Sequence, residues 1–197
     1  MDAVPIPDKM QTRRMMGQWA HAVKEPHEYA KFVMSEENPL VWYILLSNFS
    51  GNKDEYTGGE YLCRLVAPPE YPYKPPSFYF MTHNGLYQIE SKVCISIGEF
   101  HPGDHRAALG MSGFSTELVN GMICWEQMGA GIQILNTTAE QKREYAAQSK
   151  AYNRQKHPHI IKMIEDSFSS YSAKWDRTKI PAPLLISLGL SEDGAKK

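Results

Sequence analysis

The stretch Tyr56–Met81, YTGGEYLCRLVAPPEYPYKPPSFYFM, decides the fold. Within it Glu60 to Val66 (EYLCRLV) and Ser77 to Met81 (SFYFM) are short runs rich in aromatic and branched residues, which read as strands. Tyr56-Thr57-Gly58-Gly59 supplies paired glycines for a hairpin ahead of the first run. Between the runs, Pro68 to Pro76 places five prolines in nine residues. Proline lacks an amide donor and stiffens an extended path, so this segment joins strands and is not one. Upstream lies a third run, Val41 to Leu46 (VWYILL). Before it, from Thr12 to about Tyr29, Met15, Met16, Trp19, Ala22 and Val23 recur at steps of three and four, with Arg13, Arg14 and Lys24 elsewhere. That spacing predicts a first helix, ended near Pro26. A helix followed by consecutive strands predicts an α+β chain with an antiparallel meander.

Downstream, Thr82 to about Gly113 shows no sustained periodicity, and a structureless stretch of that length inside a compact domain is unusual unless it carries function. Any active site is expected there. Ser115 to about Met128 is a short helix candidate, and Thr137-Thr138-Ala139-Glu140 opens a longer helix with a capping-box pattern, running to about Lys156. A last helix starts at His157-Pro158, with Ile160, Ile161, Ile164 and Phe168 on one face, and residues from about 177 read as a tail. The expected organisation is one core over residues 1–176 with an appended C-terminal helix, then a tail over 177–197.

Composition narrows the function. With 197 residues, 42% hydrophobic and 22% charged, the chain can bury one sizeable core. A formal net charge of -1 disfavours any reading based on bulk attraction to nucleic acid. Cys63, Cys94 and Cys124 are an odd number at wide spacing with no C-x-x-C pair, which argues for a reducing compartment over a zinc site or a disulfide framework. The start, MDAVPIPDKMQTRRMM, lacks the basic-then-apolar order of a secretory signal, and IPAPLLISLGL (180–190) is far short of the roughly 20 apolar residues of a membrane span.

The order Tyr56-x-Gly58-Gly59, then Pro68-Pro69-x-Tyr71-Pro72-x-x-Pro75-Pro76, then Val93-Cys94-Ile95-Ser96 resembles the core of ubiquitin-conjugating enzymes. The resemblance covers roughly Arg13 to Tyr152. The His-Pro-Asn triplet that most such enzymes carry before the cysteine is absent; Thr82-His83-Asn84-Gly85 stands ten residues upstream of Cys94 instead. This is similar to the Thr-x-Asn-Gly of the J class, the Ubc-six type that works in endoplasmic-reticulum-associated degradation. Ser96, His101-Pro102 and Thr137-Thr138-Ala139-Glu140 resemble that class too. Departures follow the cysteine: in place of the family's Trp-Ser element stands Phe114-Ser115, preceded by the unaligned stretch His105 to Gly113.

The resemblance implies the ubiquitin-conjugating fold: an N-terminal helix, about four antiparallel strands, an active-site loop and C-terminal helices. It implies ubiquitin, the activating enzyme, a RING-type ligase and a protein substrate as partners, and no cofactor or metal. In the family the cysteine, here Cys94, takes ubiquitin's carboxy-terminal carbonyl as a thioester and passes it to an amine. A thiol needs no dedicated triad for this, being nucleophilic even when only a few per cent ionised. Asn84 either stabilises the oxyanion through its amide or braces the turn before Gly85. Of Glu99, His101, Asp104 and His105, the favoured base for the incoming lysine is His101, which would also suit a hydroxyl acceptor. Ser96 belongs to the same motif. Tyr73 occupies the place where the family presents an aromatic or apolar residue to ligases, or else partly covers the core. Arg13 and Arg14 resemble the surface offered to the activating enzyme and ligases, or are a solvated helix face. Cys63 and Cys124 read as structural.

The J class carries a carboxy-terminal membrane anchor after a long linker. This sequence shows neither, so the expectation is either a shortened chain or a soluble, cytoplasmic member recruited to the endoplasmic reticulum by a partner. Two rival readings are weighed. A non-catalytic variant of the fold that binds ubiquitin or a partner enzyme fits the irregular stretch from Phe100 to Phe114, but the presence of Cys94 argues against it. A cysteine hydrolase using Cys94 with His101 or His105 lacks an oxyanion or orienting motif.

Overall fold

A computed structural model of the chain describes residues 8–25, 27–49, 54–95, 98–124 and 134–169. Helix α1 (Lys9–Lys24) leads into strands β1 (Ala30–Met34), β2 (Val41–Leu46), β3 (Tyr61–Val66) and β4 (Ser77–Phe80). Helices α2 (Met111–Ile123), α3 (Ala139–Lys156) and α4 (Pro158–Ser169) follow. The strands form one antiparallel meander in the order β1-β2-β3-β4, with Phe32 opposite Ile44, Ile44 opposite Cys63 and Cys63 opposite Phe80.

Side chains alternate along these strands, so the sheet has two apolar faces. One face carries Phe32, Trp42, Ile44, Cys63, Leu65, Phe78 and Phe80, and these pack with Met15 of α1 and Met111, Phe114 and Leu118 of α2. On the other, Val33, Leu45 and Leu62, with Met81, receive Ile161 and Ile164 of α4. The expected meander and flanking helices are present.

Several boundaries differ from the sequence expectation, each for a local reason. Helix α1 begins at Lys9 rather than Thr12, because Asp8 and Gln11 form a reciprocal capping box, Gln11 N donating to Asp8 Oδ1 at 2.7 Å and Asp8 N to Gln11 Oε1 at 2.9 Å. It ends at Lys24, close to the expected stop near Pro26, and Ala30–Met34 then forms β1, a strand that is not among the three strand-like runs read from the sequence. Helix α2 starts at Met111, not Ser115, behind Gly110, which offers no side-chain cap, and ends at Ile123. The box at the start of α3 is made by Thr138 and Gln141, one residue later than Thr137 and Glu140. Thr137 has another partner: its hydroxyl donates to the Gly85 carbonyl. The tail over 177–197, Ser96, and the side chains of Val23, Lys24 and Phe168 lie outside the described residues.

Candidate active site

The site grows from the end of β4. Thr82 is fixed from two sides: its hydroxyl accepts from Leu62 N at 2.8 Å and donates to Asn153 Oδ1 of α3 at 2.5 Å. Asn84 follows, fully buried. Its Oδ1 accepts from the amides of Leu86 (2.8 Å) and Tyr87 (2.7 Å), and its Nδ2 donates to the carbonyls of Thr82 (3.1 Å) and Tyr87 (3.5 Å). The side-chain amide thus serves four backbone groups of its own turn. Gly85 is required next to it, because φ is +75° and a Cβ there would lie 2.8 Å from Lys142 Cγ and 2.9 Å from Thr137 Oγ1. Of the two roles weighed for Asn84, bracing uses the bonds it makes here, whereas the oxyanion role would require the amide to release one of these carbonyls.

Beyond the turn the chain runs back along the free edge of β4, with Glu90 N donating to Phe80 O (2.8 Å) and Val93 N to Phe78 O (2.9 Å). Val93 and Ile95 point into the core, and Cys94 between them is half-buried. Beneath this edge Tyr87 stacks on Phe80, with centroids 5.0 Å apart and planes 10° from parallel. Burial pushes the Tyr87 phenol well up, with the nearby Cys94 adding to the effect.

After Cys94 the chain turns repeatedly. Gly98 N donates to Ile95 O (3.0 Å), His101 N to Gly98 O (2.9 Å) and Asp104 N to His101 O (3.1 Å). These turns return the His101 imidazole to the thiol, with Nε2 3.1 Å from Cys94 Sγ. The other expected proton acceptors are engaged elsewhere or stand apart. Glu99 accepts from the Ser77 hydroxyl and pairs with Lys92 Nζ at 3.0 Å; the hydroxyl and then the lysine hold its carboxyl below the ordinary range. His105 Nε2 lies 2.8 Å from the Pro72 carbonyl, and its ring is nearly parallel to Phe114. Asp104 is exposed. Among the described residues, His101 is the expected base that meets Cys94.

A second surface adjoins this one. The proline-rich loop is closed by Tyr71 N donating to Pro68 O (3.0 Å) and Tyr73 N to Glu70 O (2.8 Å). Tyr71 is buried and its hydroxyl is bonded to Gln18 of α1, whereas Tyr73 is 84% exposed and so does not cover the core. Gln11 also bonds the Pro69 carbonyl, which seats α1 against the loop. Arg13 and Arg14 are exposed on that helix, and Arg14 Nη2 donates to Ala107 O at 2.6 Å. Sequence reasoning passed over Gln11 and Gln18, and quoted Tyr71 as part of the proline-rich motif without a role; the Asp8-x-x-Gln11 capping pattern is the signal that could have drawn attention to the first.

Cys63 is fully buried in β3, where burial pushes its thiol well up, and Cys124 caps the end of α2. Among the described residues no group of three His, Cys, Asp or Glu side chains is placed to hold a metal ion, and no helix is long and apolar enough to cross a membrane.

No family model matches the chain. Curated relatives do. It is 31% identical over 142 residues to human ubiquitin-conjugating enzyme E2 J2, covering 72% of this chain and 53% of the relative. Against ubiquitin-conjugating enzyme E2 6 of Schizosaccharomyces pombe it is 30% identical over 155 residues, covering 78% and 66%. The chain therefore spans roughly half to two thirds of the length of these relatives. Among solved structures, human ubiquitin-conjugating enzyme E2 G1 superposes with a TM-score of 0.51 at 20% identity, covering 58% of this chain and 96% of that one, which is a likeness of fold. The meander with its flanking helices is the fold that the solved neighbour shares, and on the likeness to the curated relatives the chain belongs to the ubiquitin-conjugating enzyme family, in its J or Ubc-six class.

Proposed function

We propose that the chain is an active ubiquitin-conjugating enzyme in which Cys94 accepts ubiquitin from the activating enzyme and transfers it to a substrate lysine, with His101 as the base. The observation that carries this reading is the contact between a half-buried thiol on the sheet edge and an imidazole nitrogen 3.1 Å away. In charging, the Cys94 thiol loses its proton and the sulfur attacks the carbonyl carbon of the incoming thioester. A new carbon–sulfur bond forms, the old one breaks, and the departing thiolate takes up a proton. In discharge the substrate amine attacks that carbonyl and gives its proton to His101 Nε2, while the Cys94 thiolate leaves and is reprotonated. A hydroxyl acceptor would follow the same path and give an ester.

Asn84 acts in this scheme by holding the turn that leads to the edge segment. Ser96 is assigned no step. Tyr73, Arg13 and Arg14 form the face that meets the activating enzyme and a RING-type ligase; the exposure of Tyr73 beside α1 supports this. The J-class likeness supports a place in endoplasmic-reticulum-associated degradation, with the enzyme on the cytosolic face of that membrane. The test is incubation with activating enzyme, ATP and ubiquitin, followed by a non-reducing gel. A thiol-labile adduct that disappears in Cys94→Ser is expected. Its absence with ubiquitin, or its persistence on Cys63 or Cys124, would overturn the assignment.

A further inference from the structure

Residues 98–110 contain no helix or strand and are largely exposed, yet His101 within them is held against Cys94. A stretch with so few internal bonds keeps one conformation only if neighbours fix it, since ordering each residue costs about 1–2 kcal/mol of backbone entropy. Near its start Glu99 is held by the Ser77 hydroxyl and by Lys92 Nζ at 3.0 Å, and three further tethers reach residues 105–109 from outside. Arg14 Nη2 donates to Ala107 O at 2.6 Å, but from an exposed side chain. The Tyr71 hydroxyl reaches Leu109 O only at 3.5 Å. His105 makes the third, at 2.8 Å to Pro72 O, and its ring is also seated on Phe114 at 6.3 Å and 8° from parallel. A carbonyl oxygen only accepts, so Nε2 carries the hydrogen and the tautomer is set. The buried Nδ1 has no partner among the described residues, which leaves Pro72 as the polar anchor of this side chain.

We propose that His105 is a positioning residue for the Cys94–His101 pair: by clamping the 98–110 segment to Pro72 and Phe114 it fixes where the His101 ring sits. The inference rests on the proposed use of Cys94 and His101, and deepens it. It also couples the 98–110 segment to the loop that presents Tyr73, because the clamp closes on Pro72, the residue next to Tyr73.

The experiment is site-resolved alkylation of Cys94 by iodoacetamide in the full chain, followed by mass spectrometry from mildly acidic to alkaline pH. His101→Ala gives the profile of a thiol without its imidazole, expected to be slower at neutral pH by about threefold or more. His105→Phe keeps an aromatic ring on Phe114 but has no donor, and should shift the profile to that of His101→Ala. His105→Gln, whose amide reaches the Pro72 carbonyl, should restore most of the wild-type rate. In the His101→Ala background His105→Phe should have no further effect. If His105→Phe does not fold, His105→Asn, whose amide ends short of Pro72, takes its place with the same expected shift. A profile for either variant that superimposes on wild type, or an equal effect with and without His101, would overturn the inference. Ubiquitin charging is scored in parallel. A chain that shows the alkylation pattern but does not charge fails the proposed function alone, and one that charges without the pattern fails this inference alone.

Discussion

At Asn84 a single amide replaces four contacts that the backbone of a tight turn has no means of making for itself. Removing it strands buried donors and acceptors, so Asn84→Ala should destabilise the fold by about 3 kcal/mol, read as a lower urea midpoint at unchanged slope. An unaltered midpoint together with slowed discharge would return Asn84 to the oxyanion role. His101→Ala should behave in the opposite way. Stability should change little and charging should slow only by the few-fold expected of the thiol's alkylation, while single-turnover discharge to lysine should fall by roughly 10²-fold. At this scale the sequence singled out candidate residues but was uninformative about what each touches. Cys94 and Asn84 stood out through flanking motifs. That His101 meets the thiol depends on the turns at Gly98 and His101, which no spacing of seven residues specifies. Glu99 and His105 stood beside the favoured His101 as candidate bases, and tertiary contacts engage them with Ser77 and Lys92 and with Pro72.

Among the elements, β2, β3 and β4 were legible because aromatic and branched runs bounded by glycine and proline have few alternative conformations. Strand β1 was not: AKFVM is five residues long, follows a helix with a compatible apolar pattern, and has its ladder supplied by β2. Helix α2 was misplaced by four residues at its start because Gly110 gives no capping signal. The start of α3 was legible to within one residue, and the structure separates two adjacent threonines by task. Thr138→Ala should cost about 1 kcal/mol through loss of the cap, seen as a lower melting temperature. Helix α4 is held by the second apolar face, where Ile164 is fully buried. Ile164→Ala should cost about 3 kcal/mol and raise amide hydrogen exchange in α4 more than in α1 or α2. Exchange rising equally throughout would mean that α4 does not open as a separate unit.

In the molecule as a whole, the junction of α1, the sheet and α2 passes through His27, and this gives folding stability a pH dependence with a definite sign. Tyr29 N donates to His27 Nδ1 at 3.1 Å, so Nδ1 accepts and Nε2 carries the hydrogen toward Thr116 Oγ1 of α2, 3.0 Å away. The neutral ring fits these bonds, and a proton on Nδ1 would break the first. Burial lowers the His27 imidazole below its ordinary value, with the charge of Glu28 opposing more weakly. As pH falls through about 6.5 the unfolded chain therefore takes up a proton at this residue that the folded chain resists. More protons bound in the unfolded state mean that stability is lost as pH falls below neutral. Glu99 adds a separate loss at lower pH, because its carboxyl is held below the ordinary range in the fold and its stabilising contribution disappears as it is protonated. Thermal melts of wild type should thus fall in two steps on acidification. His27→Asn, whose Oδ1 is placed to accept from Tyr29 N without taking a proton, should flatten the first step and leave the second. A first step unchanged in this variant would assign the near-neutral loss to another group and remove His27 from the account.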